Sequence, residues 1–99
     1  MKKETATKYI FITTRVWASP KSGLYFSYKI WVNGTALCKQ GALSGGVDHA
    51  LQHAMNALAE YNRLPGWDGI EDPYFFCWKH GIKFVRDHVT VCRKGDLHL

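Results

Sequence analysis

Asn33-Gly34 sits between two runs that read as strands, LYFSYKIWV before it and TALCKQ after it. Both central residues of a two-residue type I′ turn need positive φ, which Asn tolerates and Gly adopts readily, so this pair commits its flanks to an antiparallel hairpin. A second turn, ASPKSG over residues 18–23, separates LYFSYKIWV from an earlier alternating run, YIFITTRVW, with Pro20 and Gly23 supplying a fixed and a permissive φ. Three strands in succession are therefore expected, over residues 9–17, 24–32 and 35–40. Setting Trp17 opposite Tyr25 brings Val16 to Phe26, Ile12 to Ile30 and Ile10 to Val32. That register gathers the aliphatic side chains on one face and leaves Tyr9, Phe11, Arg15, Trp17, Tyr25, Lys29 and Trp31 on the other.

From Gly46 the period changes. Val47, Leu51, Ala54, Leu58 and Tyr61 recur at the spacing of one helix face, with Ser44 as the expected N-cap and Leu64-Pro65-Gly66 as the stop. Alanines at 50, 54, 57 and 59 let this helix lie close against the sheet, while Asp48, His49, Gln52, His53, Asn56, Glu60 and Arg63 face solvent. The loop GWDGIEDP follows, and then YFFCWK and IKFVRDHVTVC read as two further strands joined at His80-Gly81. The expected fold is α+β: an antiparallel sheet of about five strands, in the element order β-β-β-α-β-β, packed on one helix.

A chain of 99 residues is one domain, residues 1–99, large enough to build a core without metal or disulfides. The start MKKETATKYIFITTR carries the lysines of a signal peptide, but its apolar run is too short, and nothing downstream approaches the ~20 apolar residues of a membrane span. A cytoplasmic protein is expected. Its cysteines, Cys38, Cys77 and Cys92, are odd in number and read as free thiols. The formal net charge of +5 favours anionic partners and excludes mimicry of DNA, which needs dense carboxylates.

The segment FCWKHGIKFVRDHVTVC orders Cys77, His80, His88 and Cys92 as C-x2-H and H-x3-C, which raises a zinc site. If His80-Gly81 is a tight turn, Cys77 faces Phe84, and His88 and Cys92 lie roughly 13 and 26 Å further along the partner strand. Zinc ligands sit within about 2.3 Å of one ion. The reading is therefore core cysteines with a turn histidine and a surface histidine, and no metal or cofactor; a zinc site on Cys77, His80, His88 and Cys92 is the alternative, and it requires that the second run not be a strand. His49 and His53, four apart on the helix, lack a third ligand and read as a solvated face. Asp68, Glu71 and Asp72 are explained by turn chemistry more simply than as paired carboxylates. No nucleophile elbow, phosphate-cradling glycine loop or H-E-x-x-H occurs, so no catalytic residues are nominated and the expectation is a protein that is not an enzyme.

One helix covers only one face of a sheet, so the aromatic face must be solvated, paired with another copy, covered by a terminal segment or bound to a partner. Aromatics interleaved with Lys and Arg suit single-stranded nucleic acid, whose bases stack on rings while cations track phosphates. Large aromatics with Arg equally suit the centre of a protein interface. Arg15, Trp17, Tyr25, Lys29 and Trp31 are the nominated partner-binding residues, with Trp67 and Trp78 beside them.

The order of three strands, helix and strand is similar to the beginning of the ribonuclease H fold. Nucleases of that fold carry a metal-binding carboxylate on the first strand, and residues 9–17 contain none. Over residues 10–93, the succession VWASPKSGLYFSYKIWVNG, CKQGALSGGVDHALQHAMNALAEY, a Trp-Asp-Gly break, a Pro followed by aromatics and a closing hairpin resembles small phage-encoded anti-CRISPR proteins that disable type I surveillance complexes. The resemblance implies a non-catalytic inhibitor that binds a Cas subunit stoichiometrically in the host cell, as a single copy or a homodimer. Residues 36–61 alone resemble HicB-type antitoxins, without the Pro-Asp that usually precedes the glycine.

Overall fold

The computed structural model describes residues 7–21 and 23–97, apart from the side chains of Ala42 and Val47. The lysines of the extreme N-terminus, Ser22 of the first turn and the Val47 side chain of the expected helix face thus lie outside the described residues. The elements are β1 (Tyr9–Ser19), β2 (Gly23–Val32), β3 (Thr35–Ser44), α1 (Val47–Glu60), α2 (Pro73–Lys79), β4 (Lys83–Val91) and a closing 3-10 turn over Lys94–Leu97. The described residues form a four-stranded sheet in the order β3-β2-β1-β4. The class is α+β, with the sheet packed against helix.

The first hairpin takes the expected register: Trp17 pairs with Tyr25, Val16 with Phe26, Ile12 with Ile30 and Ile10 with Val32. Asn33 and Gly34 both adopt positive φ, 51° and 86°. The Asn33 side chain does a second job, since its Oδ1 accepts from the backbone N–H of Lys8 at 2.9 Å and of Tyr9 at 3.0 Å, tying the start of β1 to the neighbouring turn. β3 runs past the expected six residues to Ser44, with register shifts between Phe26 and Tyr28 and between Ile30 and Trp31. These bulges let the strand bend without ending.

The N-cap of α1 lies two residues later than Ser44, at Gly46, whose carbonyl accepts from Ala50 N–H at 3.0 Å. Gly45 before it stands at φ 139°, and a Cβ there would meet His49 Cβ at 2.9 Å and Phe26 Cε1 at 3.0 Å. The helix also ends earlier than Leu64-Pro65-Gly66. Asn62 takes φ 59°, with Asn62 N–H on Ala59 O at 3.0 Å and Arg63 N–H on Leu58 O at 2.9 Å, a Schellman cap with Asn in the left-handed position. Ala50, Leu51, Ala54, Met55 and Leu58 are buried against Ile10, Ile12, Val16, Phe26, Tyr28, Ile30 and Val32, while Tyr61, expected on that face, is exposed.

The main correction concerns residues 73–79, which are helix α2 where a strand is expected, so the element order is β-β-β-α-α-β. Asp72 caps the helix, its carboxylate facing Tyr74 N–H, and Pro73 occupies the first turn, where its missing N–H costs nothing. His80-Gly81 closes the helix instead of turning a hairpin. Gly81 takes φ 69°, Gly81 N–H bonds Trp78 O at 3.2 Å and Ile82 N–H bonds Cys77 O at 2.8 Å, again a Schellman cap. β4 consequently enters the sheet beside β1 and parallel to it, with Ile10 opposite Phe84 and Trp17 opposite Val91. A parallel neighbour needs a long crossover, and α1, the loop and α2 supply it.

Candidate functional site

Register places the nominated sheet residues together. Tyr9, Phe11, Arg15 and Trp17 from β1 share the face opposite α1 with Tyr25, Lys29 and Trp31 from β2, all of them half-buried. The rings pair across the strands, Phe11 with Trp31 at 5.1 Å between centroids and Trp17 with Tyr25 at 5.8 Å. Lys29 Nζ stands 4.8 Å from the Trp31 ring centroid and Lys83 Nζ, from β4, 5.7 Å from that of Tyr9.

The C-terminal turn crosses the middle of this face. Leu97 is buried, its carbonyl accepts from the Ser27 hydroxyl, and the Asp96 carbonyl accepts from Arg15 at 2.8 Å. Because Arg15 pairs with Ser27, this strap divides the face into a Phe11/Trp31 end and a Trp17/Tyr25 end. Covering by a terminal segment, one of the expected fates of the face, is thus realised at its centre.

The other nominated tryptophans part company. Trp67 meets Phe76 edge-on at 5.2 Å and its Nε1 donates to Asn56 at 3.0 Å, so it is engaged inside the molecule. Trp78 is 76 % exposed on α2. Helical spacing sets it beside Tyr74 and Phe75, which are 50 % and 49 % exposed. The Phe75 and Trp78 rings lie 5.8 Å apart, and Lys79 Nζ sits 5.5 Å from the Phe75 ring while bonding Glu71 at 2.7 Å. Ile70, in the preceding loop, is 85 % exposed. Its loop is held by Asp68, whose Oδ1 accepts from Ile70 N–H and Glu71 N–H at 2.9 Å each, and by Gln52, which donates to Gly69 O at 2.6 Å. The two backbone bonds draw the Asp68 carboxyl below its ordinary pKa. A strand reading hides Tyr74 and Phe75, for which the Asp72-Pro73 cap is the missed signal, and Ile70 lies in the expected loop without a signal of its own.

The Cys/His segment does not converge. Cys77 is buried in α2, where burial pushes its thiol up to about 11. His80 caps α2 with its ring 4.3 Å from Phe76, and Cys92 is exposed beyond β4. His88 lies five residues into β4, roughly 16 Å along the strand from its start. Its Nδ1 is 2.8 Å from the Thr14 hydroxyl, to which Arg86 also donates at 3.3 and 3.4 Å. Burial first, and Arg86 second, hold the His88 pKa below its ordinary value. Thr14 itself is wholly buried, so this cluster ties β4 to β1 rather than presenting a nucleophile. No group of three or more His, Cys, Asp or Glu residues is placed to hold a metal among the described residues. His49 Nδ1 accepts from Gly46 N–H at 3.4 Å, and His53 packs its ring 5.4 Å from Phe26.

Among the described residues no helix is long and apolar enough to cross a membrane. Comparison with protein-family models, curated proteins and solved structures gave no match.

Proposed function

We propose that this chain works by stoichiometric binding to a protein complex, without catalysis, and that the exposed face of α2 makes the contact. The observation that supports this reading is the concentration of exposed large apolar side chains in one short stretch, Ile70, Tyr74, Phe75 and Trp78. A monomeric surface rarely groups such residues unless something covers them. Trp and Tyr are also the residues whose truncation most often costs a protein interface 2 kcal/mol or more. The loop and cap that hold them use every carboxylate of the acidic stretch: Asp68 in its turn, Glu71 on Lys79 and Asp72 at the helix start. Rigid presentation of this kind lowers the entropy lost on docking.

The resemblance to anti-CRISPR proteins names the partner to try first, a Cas subunit of a type I surveillance complex in the cytoplasm of a bacterial host. Tagged chain, incubated with a purified type I complex and with its separate subunits after nuclease treatment, is expected to co-elute at a fixed ratio and to block target binding. Trp78→Ala should weaken that association by roughly 30-fold, the equivalent of about 2 kcal/mol. Equal binding by wild type and by a Phe75→Ala/Trp78→Ala double variant would remove α2 as the contact. Failure of every subunit to bind would remove the Cas assignment.

A further inference from the structure

We infer that the Phe11/Trp31 end of the open sheet face is a binding site for single-stranded nucleic acid, separate from the α2 surface. The first ground is where the charges lie. Asp48, Glu60, Asp68, Glu71 and Asp72 all belong to α1, α2 and the loop between them. The sheet's far face instead gathers Lys29, Lys39 opposite it on β3, and Lys83 opposite Tyr9 on β4, with Asp87 and, on the strap, Asp96 as its acidic members among the described residues. An anionic partner is drawn to this side of the molecule and repelled by the other.

The second ground is the order across the sheet. Lys39 lies on β3, Lys29 and Trp31 on β2, Phe11 and Tyr9 on β1, and Lys83 on β4. Lys39 and Lys29 share the row of Thr13, and Lys83 the row of Tyr9 four residues away along β1, so the cations bracket the rings on a diagonal of roughly 19 Å, three strand spacings by four residues. A chain laid along that diagonal would meet lysine, rings and lysine in turn, which matches an alternation of phosphates and bases. A four-stranded sheet with aromatics on its open face can stack two or three bases in this way.

The third ground separates nucleic acid from an acidic protein. Lys is depleted from the centres of protein interfaces, whereas it is a regular phosphate ligand. Arg15, the residue best suited to a protein contact, already donates to the Asp96 carbonyl. Lys29 and Lys83 rest over the Trp31 and Tyr9 rings, and a base that stacks on a ring displaces its lysine toward the flanking phosphate. Paired bases offer no free face to the rings, so the site selects single strands over duplex.

The test uses the full chain and a fluorescein-labelled dT12 oligonucleotide, read by anisotropy between 50 and 200 mM salt, with U12 and a 12-base-pair duplex in parallel. With three lysines on phosphates, the logarithm of affinity should fall against the logarithm of salt with a slope of about −2, a loss of roughly 16-fold over that range. Lys29→Ala/Lys83→Ala should bring the slope to about −0.7. The duplex should bind at least tenfold more weakly, and whichever of dT12 and U12 binds more tightly identifies the polymer. Trp31→Ala, checked for folding by circular dichroism, should weaken binding tenfold or more, and Trp78→Ala should leave it unchanged. No saturable binding, a slope untouched by the double lysine change, duplex bound as tightly as single strand, or loss of binding with Trp78→Ala would each overturn the inference. Lys83 is exposed and Lys29 half-buried on the open face, so their variants keep the test decisive if Trp31→Ala fails to fold.

Discussion

Phe76 and Trp78 stand two residues apart on α2, and truncating each to alanine should have opposite consequences. Phe76 is 1 % exposed, with Trp67 edge-on at 5.2 Å and His80 at 4.3 Å. Deleting a ring so enclosed costs about 3–5 kcal/mol, through lost transfer free energy and the cavity left behind. Against the 5–15 kcal/mol typical of whole domains, Phe76→Ala should lower the urea midpoint by roughly 2 to 3 M. Trp78→Ala removes a side chain that touches mostly water and should shift stability by no more than about 0.5 kcal/mol. Cys77, between them, provides a second readout. Its thiol, raised to about 11 by burial, forms thiolate roughly a hundredfold less readily than one two pKa units lower. A thiol reagent should label exposed Cys92 first, half-buried Cys38 later, and Cys77 only as the protein opens. Phe76→Ala should accelerate Cys77 alone. A strand over these residues would alternate instead, burying Phe76 and Trp78 together and exposing Cys77. Equal destabilisation by the two alanines, with Cys77 labelling as fast as Cys92, would refute the helix.

Two glycines should respond differently to alanine: Gly81 has open space around its missing Cβ, so Gly81→Ala costs about 1 kcal/mol of backbone strain alone, whereas Gly45→Ala adds contact with His49 and Phe26 and should cost more. Urea titration gives the order, and equal costs would mean that the Phe26 ring yields. Asn33→Gly keeps the turn but removes the acceptor of Lys8 and Tyr9 N–H; a loss of about 1 kcal/mol is expected, with faster hydrogen exchange at those two amides. His88 has its pKa lowered in the fold, so the unfolded chain binds the proton more readily. The stability it contributes is therefore present above the ordinary imidazole value of about 6.5 and is lost as pH falls through the folded value. His88→Gln should flatten that part of the stability profile, and an unchanged profile would assign the dependence elsewhere.

The hairpin half of this fold is legible because two kinds of signal agree there. Turn chemistry at Asn33-Gly34 and Pro20–Gly23 sets the loop lengths, and alternation then leaves a single register that keeps Ile10, Ile12, Ile30 and Val32 together. The same register brings Arg15, Trp17, Tyr25, Lys29 and Trp31 to one face, so that surface is readable without coordinates. Signals conflict over residues 72–82. Tyr, Phe, Phe, Cys and Trp are strand formers by side-chain type, yet Asp72-Pro73 opens a helix and Gly81 closes one. Caps act through specific hydrogen bonds and outweigh a weak propensity over seven residues. Reading the composition ahead of the caps also hides the exposure of Tyr74 and Phe75, and the strap is hidden because Leu97 lies far from Ser27 in sequence.

The two proposed surfaces lie on opposite layers, and that separation follows from the chain's connectivity. Phe76 and Cys77 join the core on the α1 side of the sheet, so the outward face of α2 points away from the face that carries Trp31 and Lys29. β4 links the layers: Tyr74 of α2 stacks on Phe84 at 4.8 Å, while Lys83, the preceding residue, reaches over Tyr9 on the far side. Alternation along a strand sends neighbours to opposite faces, so residues 83 and 84 divide between the two surfaces without any change of backbone. A protein on α2 and an oligonucleotide on the sheet would therefore not compete for the same side chains. Holding both at once is the arrangement expected of a chain that acts on a nucleoprotein target, and a ternary complex that forms with unchanged oligonucleotide affinity would distinguish it from a chain with one composite interface.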